Sequence, residues 1–144
     1  MQVEEFRQEL LRYSVITQEL FRKLAVPVCQ KFEFTLQQLF ILGSLYQKND
    51  QTPRELSKQI GISPNNFATV SRRLEEQALV ERSHSAADRR VFILHLTDEG
   101  RRLLQEMEAD MSQQYGNLFA QVSDETFRKI VEGFGALNEL ASRM

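Results

Sequence analysis

Residues that interrupt regular structure are scarce in this chain: three prolines and six glycines are spread over 144 residues, and tryptophan is absent. With Leu, Glu, Gln and Arg abundant, such a chain is expected to be mainly helical. Its single cysteine, Cys29, excludes an intramolecular disulfide and suits a reducing compartment. Two histidines, His84 and His95, and one thiol leave too few ligands for an ordinary zinc site. There is neither a carboxylate cluster nor a glycine-rich phosphate loop, so no enzyme, metal or cofactor is expected. No apolar run approaches the ~18 residues of a membrane helix. The opening "MQVEEFRQELLRY" has no apolar signal-peptide core. These features predict a cytoplasmic protein without a membrane partner.

An excess of positive charge is also missing, since the net charge is −2. Its distribution is uneven, however. Residues 52–102 carry 9 Lys and Arg against 7 Asp and Glu, whereas residues 103–144 carry 3 against 7. The central arginines come in pairs: Arg72 with Arg73, Arg89 with Arg90, and Arg101 with Arg102. Paired charges are often only a solvated face, so they hint at a polyanion without establishing one.

The hydrophobic periodicity places the elements. Val3, Phe6, Leu10, Tyr13, Leu20 and Leu24 recur at helical spacing, which predicts one long helix ending near Pro27. Thr35 caps a second helix, with Leu36, Leu39, Phe40, Leu42, Gly43 and Tyr46 on a wide apolar face. "TPRELSKQIGIS" reads as a short helix with Thr52 as N-cap, Pro53 at the first position, Glu55 completing a capping box and Gly61 at the end. "SPNNFATVSRRLEEQAL" restarts at once from Ser63 and Pro64, with Phe67, Val70 and Leu74 inward. Two helices so closely linked must cross steeply, as in a helix-turn-helix. The period then becomes β-like: "LVERSH" and "RVFILHLT" flank "SAAD" and predict a hairpin. Thr97 caps a helix carrying Leu104, Met107, Met111, Tyr115 and Leu118. A last helix after Ser123 carries Phe127, Ile130, Val131, Phe134, Leu137 and Ala141.

A hairpin just after the second helix of a helix-turn-helix is a wing. The fold class is therefore mainly α with a small β-hairpin: a winged helix-turn-helix at residues 35–100, flanked by helices at 1–34 and 101–144. With Phe67, Val70 and Leu74 inside, the opposite face presents Asn65, Asn66, Ala68, Thr69, Arg72 and Arg73, with Ser63 at its start. Asn pairs with adenine, Arg with guanine, and the Thr methyl meets the thymine methyl. No acid interrupts this face before Glu75, whereas a merely solvated face more often mixes both signs. Thr52 and Arg54 are candidates for phosphate contacts. At the wing tip Asp88 and Arg90, two apart in an extended strand, would share a face. Asp88 would orient Arg90 for a narrow minor groove while Arg89 points away.

The stretch "TPRELSKQIGISPNNFATVSRRLEEQALVER", with Asp88-Arg89-Arg90 and the Leu96–Gly100 segment "LTDEG", resembles the MarR family of winged-helix transcription regulators. The resemblance is close over residues 34–104. It implies a homodimer with interlocked terminal helices, a wing arginine in the minor groove of a pseudo-palindromic double-stranded operator, and often a small aromatic or lipophilic effector that releases a repressor. Phe6, Leu10, Phe127, Ile130, Phe134 and Leu137 are the interface candidates, with packing inside one chain as the alternative. Tyr13, Tyr46 and Met107 are candidates for an effector pocket, with plain core packing as the alternative. Some members use a reactive cysteine. Cys29 is expected beyond the first helix rather than within it, where a small buried residue is the simpler reading. The family usually has glycine where this chain has Ala78, and a left-handed alanine there would cost ~1 kcal/mol. A winged helix that binds protein instead of DNA is the competing function, and the acid-free helix face speaks against it.

Overall fold

The computed structural model describes all residues, Met1–Met144. Six helices and one hairpin follow in the order α1 (Val3–Lys31), α2 (Leu36–Gln47), α3 (Pro53–Ile60), α4 (Pro64–Glu76), β1 (Val80–His84), β2 (Phe92–Leu96), α5 (Asp98–Phe119) and α6 (Asp124–Ser142). The chain forms two compact units, Met1–Ala109 and Asp110–Met144, and α5 runs from the first into the second. No helix is long and apolar enough to cross a membrane.

The first unit has one core. Ile41, Leu42 and Leu45 of α2 pack with Leu56 of α3, Phe67 and Leu74 of α4, Leu79, Val80, Leu94 and Leu96. Leu42, Phe67 and Leu74 are the members that helical spacing in the sequence had already placed on an apolar face. The buried face of α2 is centred on Gln38, Ile41, Leu42 and Leu45. Phe40 and Tyr46, expected on that face, are exposed.

Local sequence sets the helix starts. The Thr35 and Thr52 hydroxyls accept from the Gln38 and Glu55 amides, and both side chains return the bond to complete capping boxes. Ser63 and Ser123 cap α4 and α6 in the same way, without the return bond. The end of α1 departs from expectation. Pro27 lies inside the helix, which continues to Lys31 and includes Cys29. An internal proline loses one ladder hydrogen bond and costs about 3 kcal/mol. The last turn continues because it buries Val28 and Cys29. Burial pushes the Cys29 thiol above its ordinary range, so the thiolate is disfavoured.

β1 and β2 pair antiparallel, with Val80 opposite Leu96 and His84 opposite Phe92. A third segment joins them that the sequence pattern did not reveal: Gln51 makes an isolated antiparallel bridge to Leu94. Its N–H donates to the Leu94 carbonyl at 3.1 Å, and the Leu94 N–H donates back at 2.8 Å. The Gln51 side chain, 1% exposed, donates to the Ser44 and Lys48 carbonyls and accepts from Gln59. One buried residue thus ties the end of α2 to α3 through its side chain and to the hairpin through its backbone.

Candidate nucleic-acid interface

Between α3 and α4 the chain turns on Gly61, whose φ of 73° is left-handed. The N–H groups of Gly61 and Ile62 both reach the Ser57 carbonyl, at 3.0 and 3.2 Å. This turn, with Ser63 and Pro64 starting α4 at once, fixes how α4 leaves α3. Phe67, Ser71 and Leu74 bury one side of α4. Ser63, Asn65, Asn66, Ala68, Thr69, Arg72 and Arg73 are all exposed.

Charge pairing separates this surface from α1, whose three arginines each hold a glutamate. Arg7, Arg12, Arg22, Arg102 and Lys129 each hold a glutamate three or four residues away. Arg54, Arg72, Arg73 and Arg89 hold no carboxylate, and all four are exposed. Thr52 is half-buried and its hydroxyl already serves the α3 cap.

The wing tip brings Asp88 and Arg90 together, by a different geometry from the extended strand expected. The two lie in the turn between the strands. Asp88 Oδ1 accepts from the Arg90 backbone N–H at 3.0 Å and from Nε at 3.2 Å, and Oδ2 accepts from an Arg90 terminal nitrogen at 3.3 Å. These bonds hold the Asp88 carboxyl below its ordinary range. The Arg90 side chain remains 92% exposed, so it is oriented without being covered. His84 adds a second brace: its Nδ1 lies 2.6 Å from the Arg89 carbonyl. A carbonyl only accepts, so Nδ1 carries the hydrogen. The His84 ring also packs on Phe92 at 4.7 Å.

Arg82 was not singled out from the sequence, and it connects the wing to α4. Its guanidinium donates to Glu75 of α4 at 2.9 Å and lies 5.2 Å from the centre of the Phe92 ring. Such a bond between a helix end and a strand seven residues later leaves no periodic mark in a sequence. His95 faces Glu81 across the strands, with Nε2 3.0 Å from its carboxylate.

The exit from α4 explains the "LTDEG" segment. Ala78 keeps the left-handed conformation, with φ of 58°. The Thr97 hydroxyl donates to the Ala78 carbonyl at 2.6 Å and accepts from Gly100 N–H at 3.0 Å. Gly100 is required by close approach, since a Cβ there would lie 2.2 Å from the Leu79 carbonyl oxygen. Leu96 closes the core, and Asp98 and Glu99 place negative charge in the first turn of α5.

The remaining candidates are dispersed. Met107 is core, 3% exposed, whereas Tyr13 and Tyr46 lie on the surface, Tyr46 under the Arg101 guanidinium. None of the three lines either of two surface recesses. One, of about 220 Å³, lies between α2 and α4, and the other, of about 590 Å³, between α1 and α2. Phe6 and Leu10 on α1, and Phe127, Ile130, Phe134 and Leu137 on α6, are all exposed in the single chain.

Residues 34–92 match the model of the MarR family. The HTH-type transcriptional repressor MdtR of Bacillus subtilis is 35% identical over 86 residues, 58% of this chain and 56% of MdtR. The uncharacterized HTH-type transcriptional regulator YsmB of the same organism is 31% identical over 98 residues, 68% of this chain and 67% of YsmB. Among solved structures, transcriptional regulator PA4135 superposes with a TM-score of 0.80 at 22% identity, covering 90% of this chain and 96% of that one. NadR in complex with 4-hydroxyphenylacetate gives 0.79 at 22% identity, covering 93% and 98%. A mutant of S. aureus MepR bound to an oligodeoxyribonucleotide gives 0.62 at 21% identity, covering 92% and 98%. With the helix-turn-helix, the braced wing and these relatives together, the chain belongs to the MarR family of transcriptional regulators.

Proposed function

We propose that this protein is a homodimeric repressor that binds a pseudo-palindromic DNA operator through α4 and the wing and leaves it on binding a small aromatic or lipophilic effector. The observation that carries the DNA reading is the exposed, acid-free face of α4 beside cations that hold no carboxylate, while the three arginines of α1 are neutralised locally. Cations left unpaired on a protein surface are available to displace counterions from phosphates. In this reading α4 enters the major groove, presenting Asn65, Asn66, Ala68, Thr69, Arg72 and Arg73 from its start at Ser63. Arg90, aimed by Asp88, enters the minor groove with Arg89 beside it. Arg54 and Thr52 lie at the phosphates.

The dimer is supported by the uncovered apolar faces of α1 and α6, since no residue of α6 is buried in the single chain. The repressor role is supported by the name of MdtR, and the effector by the ligand in the NadR structure. Tyr13 and Tyr46 are pocket candidates only if a second chain encloses them, and Met107 only from within the core.

The test is a titration of the parent, Arg72→Ala and Arg90→Ala on cognate and scrambled duplexes at several salt concentrations. Arg72→Ala is expected to cost ~1–3 kcal/mol on the cognate site and to relax preference at one position per half-site. Arg90→Ala is expected to weaken both duplexes and to lower the salt slope by about one. If Arg90→Ala binds both as tightly as the parent, the wing arginines are no more than a charged turn.

A further inference from the structure

The exposed face of α4 is two surfaces, and one of them lines a recess. Asn66, Thr69, Val70 and Arg73 are spaced three, four and seven residues apart and form one stripe. That stripe forms one wall of the 220 Å³ recess, whose other wall is Thr35, Gln37 and Gln38 at the start of α2. Asn65, Ala68 and Arg72 form a separate stripe that does not enter it. The recess therefore contains one cation, no anion, and several neutral hydrogen-bonding side chains.

Gln38 gives the recess a fixed donor. It is only 5% exposed, and its Oε1 accepts from the Thr35 N–H at 2.8 Å. That bond orients the amide, so Nε2, which makes no hydrogen bond within the chain, is the group left for the recess. Asn66 contributes a further amide. The Thr69 hydroxyl bonds weakly to the Asn65 carbonyl at 3.3 Å. Arg73 has no carboxylate partner, although Glu75 and Glu76 are nearby in sequence; Glu75 is held by Arg82.

We propose that this recess seats a phosphodiester of the DNA backbone, with Arg73 as its charge partner and Gln38, Gln37 and Asn66 as neutral donors. A cation with a fixed amide donor in an acid-free recess fits one tetrahedral anion. The inference rests on the DNA reading above and divides its labour: Asn65, Ala68 and Arg72 meet bases, while Arg73 and Asn66 hold the strand that sets the register of α4. Arg73 is thereby assigned to affinity and Arg72 to sequence preference.

The experiment is a binding titration of the parent, Arg73→Gln and Arg73→Lys on cognate and scrambled duplexes at several salt concentrations. It is repeated on cognate duplexes with a neutral methylphosphonate at one backbone position at a time. Arg73→Gln is expected to lose roughly tenfold on both duplexes, as for a charge-assisted hydrogen bond, with the salt slope lower by about one. Arg73→Lys should recover most of the loss, because a phosphate accepts a point charge. One methylphosphonate position per half-site should weaken the parent and leave Arg73→Gln unaffected. Three results would overturn the assignment: Arg73→Gln binding like the parent, a loss confined to the cognate duplex with an unchanged slope, or additive effects at every methylphosphonate position. A parent protein that binds no duplex would instead overturn the DNA reading itself, and the recess assignment with it.

Discussion

Ala78 and Gly100 lie on either side of one carbonyl-lined corner, and each tests the account of how the chain leaves α4. Ala78 holds a left-handed φ of 58° that alanine resists. Ala78→Gly should therefore raise stability by about 0.5–1 kcal/mol, after the entropy glycine loses on folding, measured as a shift in the urea midpoint at unchanged slope. Gly100→Ala should lower it by about 3 kcal/mol, as overpacking against a backbone oxygen does, because its Cβ would meet the Leu79 carbonyl at 2.2 Å. An equal response at the two positions would contradict the geometry. Asp88 gives a test by pH. Its folded pKa is depressed by the Arg90 bonds, so its contribution to the wing is complete above the ordinary carboxylate range, roughly pH 4, and is lost as pH falls through the depressed value. The difference in DNA affinity between the parent and Asp88→Asn should therefore stay constant from neutral pH down to the mildly acid range. A gap that already closes near neutrality would show that another group orients Arg90.

The elements were legible in proportion to how local their causes are. Caps such as Thr35, Thr52 and Ser63 act within four residues, so the starts of α2, α3 and α4 could be read directly from side-chain chemistry. The end of α1 was not legible at Pro27, because burial of Val28 and Cys29 decides it and burial is set by distant partners. Phe40 and Tyr46 were misplaced into the core for a related reason: an apolar helix face shows that something covers it, not which part. The hairpin and the Asp88–Arg90 pair were expected, although a turn rather than an extended strand makes the contact. Gln51 was illegible because a single bridging residue has no period. Gln51→Ala should cost about 1–3 kcal/mol, since it removes a buried amide with its bonds to the Ser44 and Lys48 carbonyls and from Gln59. Thermal unfolding would register this as a drop of several degrees. A loss within ±0.5 kcal/mol, as at an ordinary surface position, would mean that water replaces the amide and that the Gln51 side chain does not tie α3 to the end of α2. The division of the α4 face into two stripes was also hidden, because it depends on where α2 begins beside it.

In one chain the apolar residues of α1 and α6 face solvent: Phe6, Leu10, Leu11, Ile16 and Leu20 on the first, Ile130, Val131, Phe134 and Leu137 on the last. Contiguous apolar stripes of this kind mark an interaction surface. Because the same stripes are present on every copy, a second copy related by two-fold symmetry is the natural occupant. Sedimentation at micromolar concentration should find a dimer for the full chain and a monomer after truncation beyond Ser123. A truncated protein that still dimerises would move the interface away from α6. In the proposed dimer, two-fold symmetry would also set the DNA site, because paired copies of α4 would reach half-sites about one helical turn apart. The most direct test is to select operator fragments from genomic DNA with the full-length protein and footprint the tightest at physiological salt. Two chains should protect one duplex over a pseudo-palindrome, with protected major-groove positions about one turn apart and protection of the minor groove outside or between them at the wings. Failure to prefer any fragment over scrambled duplex, or protection of a single unpaired half-site by one chain, would contradict the account.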